Sequence, residues 1–337
     1  MAAMLMKRGE LFGSTTELAG YKSGLALTHQ EVADILPPEF HVLWNGEADV
    51  TLRVRPGEYE ELFTAVLRGL GTIPDGPDLT PGLELQWRYG SVPKLWAVAR
   101  DVLDGWSDDI RTLFLSGRSM QGIKYDPGPL AKRMEKKHGT LGLAIVLELV
   151  QLIDAHQHRS PWTRVRSIEW NDSIALAELF ETQGISASHG TFFDQRYIDF
   201  LHQNFHRIDD INWRRFEALT CEFFEREGFH VDIGPGSNDD GVDARIWSKD
   251  ERAYPHLIVQ CKRQKSKVGK VVVKALYADV LHERASAGLI VTTSTLSPGS
   301  EETRTAREYP VQVADRVTLQ TWLDKMRTPR TGIFLAM

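Results

Sequence analysis

Cysteine is nearly absent from this chain: Cys221 and Cys261 are the only two in 337 residues. Two thiols exclude a cysteine-rich zinc site and fit a reducing compartment, so a cytoplasmic location is expected. Long hydrophobic runs are also missing. The most apolar stretch, Leu141 to Ile153, is short and carries Glu148 and Gln151. A buried helix is expected there rather than a membrane span. Lys7 and Arg8 are followed by neither an apolar segment nor a small-residue cleavage site, so secretion is not expected. No P-loop and no dinucleotide fingerprint occurs, which argues against energy-coupled translocation by this chain alone. Internal repeats and low-complexity tracts are absent too.

What is present is an ordinary globular composition, 42% hydrophobic and 26% charged, long enough for two domains. The formal charge of −6 is unevenly spread. Residues 211–337 hold 19 Lys and Arg against 17 Asp and Glu, a net of +2, whereas residues 1–210 hold 21 against 29, a net of −8. Lys262, Arg263, Lys265, Lys267, Lys270 and Lys274 follow one another with no acid between them. Such a run is either a solvated face or a phosphate-binding surface.

Residues 1–206 read as a mainly helical domain. Thr28 to Ala33 has the pattern of a short capped helix, and Val50 to Val54 alternates like a strand. Tyr59–Leu70, Val92–Leu115 with a break at Gly105, Pro129–His156, Ser173–Thr182 and Phe192–His206 read as helices. Gly71 to Gly82 reads as a loop. Residues 207–337 follow a different order. A helix over Trp213–Glu227 stops at Gly228. Short strands follow at Phe229–Val231, Val242–Trp247 and Leu257–Cys261. Then come a helix over Val268–Ala285, an apolar strand over Gly288–Thr292, a helix capped by Ser297-Pro298, a strand at Val311–Val313 and a last helix over Thr318–Met326. This is an α/β arrangement with helices covering a mixed sheet.

The chemistry concentrates in Asp239-Asp240-Gly241-Val242-Asp243 and His256-Leu257-Ile258-Val259-Gln260-Cys261-Lys262. Alternation along two neighbouring strands places Val242, Ala244 and Ile246 on one apolar face and Asp243 on the other. It aligns Gln260 and Lys262 opposite Leu257, Val259 and Cys261, so Asp243, Gln260 and Lys262 are expected in one cleft. Mg²⁺ takes hard oxygen ligands and keeps waters and phosphate oxygens. Asp243 can supply the anionic ligand, with the Gln260 side-chain oxygen and the Cys261 backbone carbonyl as neutral ones. Lys262 can neutralise charge developing on a phosphorane and orient the attacking water. Glu217, on the flank of an apolar helical stripe, either joins this site or is an ordinary solvated helix residue. The Cys261 thiol reads as core.

Taken in order, Phe216-Glu217, Gly228-Phe229, Asp240-Gly241-Val242-Asp243, Val259-Gln260-Cys261-Lys262 and Gly288 to Thr293 resemble the Mrr-like restriction endonuclease domain, a branch of the PD-(D/E)xK nucleases. Ser297 and Ala306 match its next helix and Leu319 to Leu323 its last, so the resemblance spans about 209–326. It implies a C-terminal three-layer α/β/α sandwich with a mixed sheet, cleavage of DNA dependent on Mg²⁺ (with Mn²⁺ able to substitute), and Glu217, Asp243, Gln260 and Lys262 as active-site residues. Gln260 replaces the acid of the wider superfamily, which removes one negative charge from the site.

Arg263, Lys265, Lys267, Lys270 and Lys274 are the candidate DNA contacts, with no membrane partner expected. The resemblance does not reach residues 1–206, which are open to ligand or protein sensing, oligomerisation or restraint of the nuclease. The functional class expected is a DNA endonuclease of prokaryotic restriction or anti-phage defence. The competing classes are a catalytically silent DNA-binding module and a signalling protein driven by its N-terminal domain. Asp199, His202 and His206 share helical spacing, which permits zinc but more simply reads as a solvated face. His156 and His158 do not share a helix face, and Asp75 to Asp78 lacks calcium-loop spacing.

Overall fold

The computed structural model describes residues 3–115, 125–236, 241–249 and 253–327. Asp239 and Asp240 of the acidic motif lie outside them. The chain packs as two compact units, one formed by residues 1–73 with 170–332 and the other chiefly by residues 74–169. The packing units thus divide differently from 1–206 and 207–337.

The first segment runs β1 (Met4–Lys7), α1 (Arg8–Ser23), β2 (Leu25–Ala26), α2 (His29–Ile35), α3 (His41–Trp44), β3 (Thr51–Val54) and α4 (Pro56–Gly69). Thr28 caps α2 reciprocally with Glu31: the Glu31 amide donates to the Thr28 hydroxyl at 3.2 Å, and the Glu31 carboxylate accepts from the Thr28 amide at 2.6 Å. β1 pairs antiparallel with β3. β1 and α1 escape a pattern reading because Thr15, Lys22 and Ser23 are buried alongside Leu11 and Ala19, which blurs the apolar stripe.

The second unit holds α5 (Pro81–Tyr89), α6 (Pro93–Leu115) and α7 (Gly128–Arg159). Leu85, Ala99, Val102, Leu130, Ile145, Val146 and Leu149 form its core. Helix α6 continues through Gly105, where no break occurs. A Cβ there would sit 2.8 Å from the Leu130 Cδ1 atom, so the glycine serves close helix approach. α7 bends at Gly139 (φ 64°, ψ −150°). By length and composition α7 qualifies as a membrane span, unlike the expectation from the short apolar run. It packs Gly142, Ile145, Val146 and Leu149 inward and leaves Leu147 exposed.

The chain returns to the first unit with β4 (Ile174–Ala175), α8 (Glu178–Glu181), α9 (Gln195–Gln203), α10 (Trp213–Arg226), β5 (His230–Ile233), β6 (Ala244–Trp247), β7 (Leu257–Lys262), α11 (Lys270–Glu283), β8 (Ala287–Thr292), α12 (Pro298–Ala306), β9 (Val311–Ala314) and α13 (Arg316–Met326). The helix expected over Ser173–Thr182 is confined to Glu178–Glu181. The Ile174 and Leu176 amides instead donate to the Gly24 and Ala26 carbonyls, each at 3.1 Å, and so join β2.

β5 to β9 form one five-stranded sheet in sequential order. β5, β6 and β7 are antiparallel neighbours, and β7, β8 and β9 run parallel. The parallel pairs require crossovers, which α11 and α12 provide. One face packs Ala244, Ile246, Val259 and Val291 against Phe216, Leu219, Leu319 and Leu323 of α10 and α13. The other packs Ile258, Ile290 and Val311 against Val273 and Leu276 of α11. Helix, sheet and helix layers make the α/β/α sandwich. α11 seats close to the sheet because β8 has Gly288, where a Cβ would meet Leu276 Cγ at 2.8 Å. α12 starts where the Ser297 hydroxyl accepts the Ser300 amide at 3.2 Å, ahead of Pro298.

The layer of α10 and α13 extends beyond the sandwich. Its core continues through Tyr197, Phe200 and Leu201 of α9 into Val32, Trp44, Leu62, Phe63 and Leu67 of the first segment.

Candidate active site at the end of β7

Helix α10 presents Glu217. Asn212 caps it, its side chain accepting the Arg214 amide at 2.9 Å. Phe216, Leu219 and Cys221 pull the helix onto the sheet and carry Glu217 inward with them. Glu217 is 5% exposed, Asp243 8% and Gln260 6%. The solvated-helix alternative for Glu217 is therefore set aside by packing.

Asp243 sits just before β6. Its amide donates to the Val259 carbonyl at 2.9 Å, and its carbonyl accepts the Gly234 amide at 2.8 Å. Its carboxylate accepts the Cys261 backbone amide at 2.6 Å. It therefore lies between Gln260 and Lys262 at the end of β7.

The strand alternation expected for residues 242–247 fails at its first step. Val242 packs with Ile258 and Ile290, whereas Ala244 and Ile246 pack on the opposite face. Regular pairing begins only at Ala244, so the backbone at Asp243 is free to aim its carboxylate toward α10. The Asp243 carboxylate adjoins Glu217 closely enough to raise its pKa. Gln260 and Lys262 fall by alternation on the face of Ile258 and Ile290. Asp243 and Glu217 thus adjoin at the end of β7, whereas Gln260 and Lys262 fall on the other face of that strand end.

Burial, then the adjoining Asp243 carboxylate, pushes the Glu217 carboxyl up to about 7, against the opposing pull of Arg214. The Arg214 guanidinium donates to Glu217 at 2.7 Å and to the Gly234 carbonyl at 2.7 Å. Sequence reasoning passed over Arg214. Its signal was the i, i+3 spacing to Glu217 on one helix face.

The Gln260 side-chain oxygen is buried without a hydrogen-bond partner among the described residues. Its amide nitrogen lies 2.9 Å from where a Cβ on Gly241 (φ +89°) would stand, so glycine there makes room for it. Two carboxylates and an unsatisfied buried oxygen are hard donors and suit Mg²⁺ or Mn²⁺. Among the described residues no three His, Cys, Asp or Glu side chains gather as a metal cluster. A cation here would depend on the neutral oxygens of Gln260 and the Cys261 backbone.

Lys262 is half-exposed and its ammonium joins no ion pair among the described residues. The Cys261 thiol packs against the Thr220 hydroxyl at 3.6 Å, and burial raises its pKa. It belongs to the core.

Lys265, Lys267, Lys270 and Lys274 are exposed on the loop after β7 and the outer face of α11. α11 starts at Lys270 rather than Val268, which bridges to Leu296. Its first turn carries no acid, although the helix dipole favours one there. Arg263 is tied down, donating to the Asp209 carbonyl at 2.6 Å.

The histidine alternative dissolves. Asp199 is fully buried, so the solvated-face reading fails for it as well. His202 pairs with Asp324 at 3.0 Å, and His206 lies past the end of α9.

An uncharacterized protein of Sinorhizobium fredii (strain NBRC 101917 / NGR234), y4cE, is 25% identical over 130 residues, which are 38% of this chain and 33% of that protein. The structure of MspJI restriction endonuclease in complex with a 27-mer oligonucleotide matches with 19% identity, 54% of this chain and 41% of that one, at a TM-score of 0.31. The chain thus spans well under half of either relative. Residues 208–323, from just before α10 to α13, match the model of the restriction endonuclease family Mrr_cat.

Proposed function

We propose that the protein is a divalent-metal-dependent DNA endonuclease, acting in the cytoplasm in prokaryotic restriction or anti-phage defence. The observation that carries this reading is the buried Glu217–Asp243 pair at the end of β7, the strand that also bears the buried Gln260, within the residues that match a restriction endonuclease family. Asp243, Gln260, the Cys261 carbonyl and Glu217 would hold Mg²⁺ or Mn²⁺. When bound, the cation supplies positive charge to a phosphodiester and acidifies a water. Lys262 places its ammonium where negative charge grows on the phosphate and orients the attacking water. The lysines from Lys265 to Lys274 hold the DNA backbone. Residues 1–206 serve as a sensing, oligomerising or restraining part.

The test is plasmid nicking with and without Mg²⁺, on modified and unmodified DNA. Asp243→Ala should abolish it while leaving the circular dichroism spectrum unchanged. Retained cleavage by the folded variant would remove the assignment. DNA binding without any cleavage by the wild type would make the domain a silent binding module. Gln260→Glu adds a carboxylate and should shift the metal titration to lower concentration.

A further inference from the structure

Two acids in contact at this depth need a compensating charge, because low polarity strengthens their repulsion. Arg214 supplies it. One arm of its guanidinium bonds Glu217 at 2.7 Å and another the Gly234 carbonyl at 2.7 Å. Both partners of the ion pair are buried. Gly236, with φ +82°, lies against the guanidinium, and a Cβ there would be 3.0 Å from Nη1. Gly234 in turn donates its amide to the Asp243 carbonyl at 2.8 Å. Arg214 is thus held to the same backbone turn that carries Asp243, and its bond to Gly234 does not depend on Glu217.

Resting on the metal-site reading above, we infer that Arg214 is a positioning residue that serves as a built-in counter-ion: it occupies Glu217 until a divalent cation takes the carboxylate pair, and so sets the cation concentration at which the site fills. A cation and a guanidinium compete for the same carboxylate. The Gly234 bond keeps the guanidinium close after displacement, where its charge continues to oppose the cation. The arrangement holds the domain in a metal-poor resting state and shifts loading to higher cation concentration than the carboxylates alone would need.

The experiment measures Mn²⁺ binding to the full chain by electron paramagnetic resonance of the free ion, without DNA. Wild type, Arg214→Gln, Arg214→Lys and Asp243→Asn are compared. Arg214→Gln removes the charge and should bind Mn²⁺ at least about threefold more tightly. Arg214→Lys keeps the charge and should stay within about twofold of the wild type. Equal affinity in all three Arg214 forms overturns the inference. So does parallel weakening in Gln and Lys, which would make Arg214 only a brace for the turn. Asp243→Asn tests the underlying site separately. If it leaves wild-type binding intact, the metal-site reading fails, whatever Arg214 does.

Discussion

At the scale of the residue, a buried acid beside another acid ties stability to pH. The folded protein holds the Glu217 proton up to about 7, whereas the ordinary carboxyl value is 4.5. Between those values the folded state binds more protons than the unfolded one, so stability falls as pH rises. The contribution is complete below about 4.5 and lost above about 7. Denaturant melts of wild type and Glu217→Gln across this window should diverge, the variant lacking that decline. Parallel curves would mean that Glu217 is not held beside Asp243 in solution. On the proposed reading Lys262 differs in kind from its basic neighbours. Lys262→Ala should lose at least about a hundredfold more single-turnover cleavage than DNA affinity, because its charge acts on the transition state. Equal losses would make it one more phosphate contact.

At the scale of the element, α10 does two jobs. One flank presents Glu217 to the site. Another anchors the loop before α9, where the Glu222 carboxylate accepts the amides of Thr191, Phe192 and Phe193 at 2.9, 2.8 and 3.2 Å. Arg226 pairs with the same carboxylate at 2.7 Å and donates to the Met326 carbonyl at 2.8 Å. Glu222→Ala would strand these donors and should cost about 3 kcal/mol in chemical denaturation. A loss below about 1 kcal/mol would mean that water replaces the carboxylate easily. α11 tests the other interface. Lys270 stands in the first turn, where the dipole disfavours a cation, and Lys274 is exposed one turn further on. Replacing Lys270 and Lys274 with Ala should weaken binding to all DNA sequences alike and flatten the salt slope by up to about two units. A loss confined to particular sequences would instead point to base contacts.

At the scale of the whole molecule, the α/β/α sandwich shares its core with the first 73 residues. Asn204 donates to the Gly69 carbonyl at 2.7 Å. At Gly71 (φ +69°) a Cβ would lie 2.0 Å from the Asp199 carbonyl oxygen. α9 therefore connects the first segment to α10. A fragment starting at residue 207 should expose Phe216, Phe223 and Phe224 and lose cooperative unfolding. A chain with residues 74–169 replaced by a short linker should keep it. Thermal melts of both shortened chains decide the matter, and a cooperative fragment with the wild-type midpoint would show that the sandwich is self-sufficient.

The strands and helices of residues 213–326 were legible because periodicity, capping residues and glycine stops agree there. Examples are Ser297-Pro298, Gly228 and the unbroken apolar run of β8. Local order also identified Asp243, Gln260 and Lys262 as candidates, since they cluster at the ends of two short strands close in sequence, and a helical position flanking an apolar stripe added Glu217. The fate of Glu217, the reversed face of Val242, the partnership of Arg214 and the shared core did not follow from pattern. Each depends on residues distant in sequence meeting across the sheet or through α9. Burial and charge compensation are set by that meeting, and no local spacing encodes it.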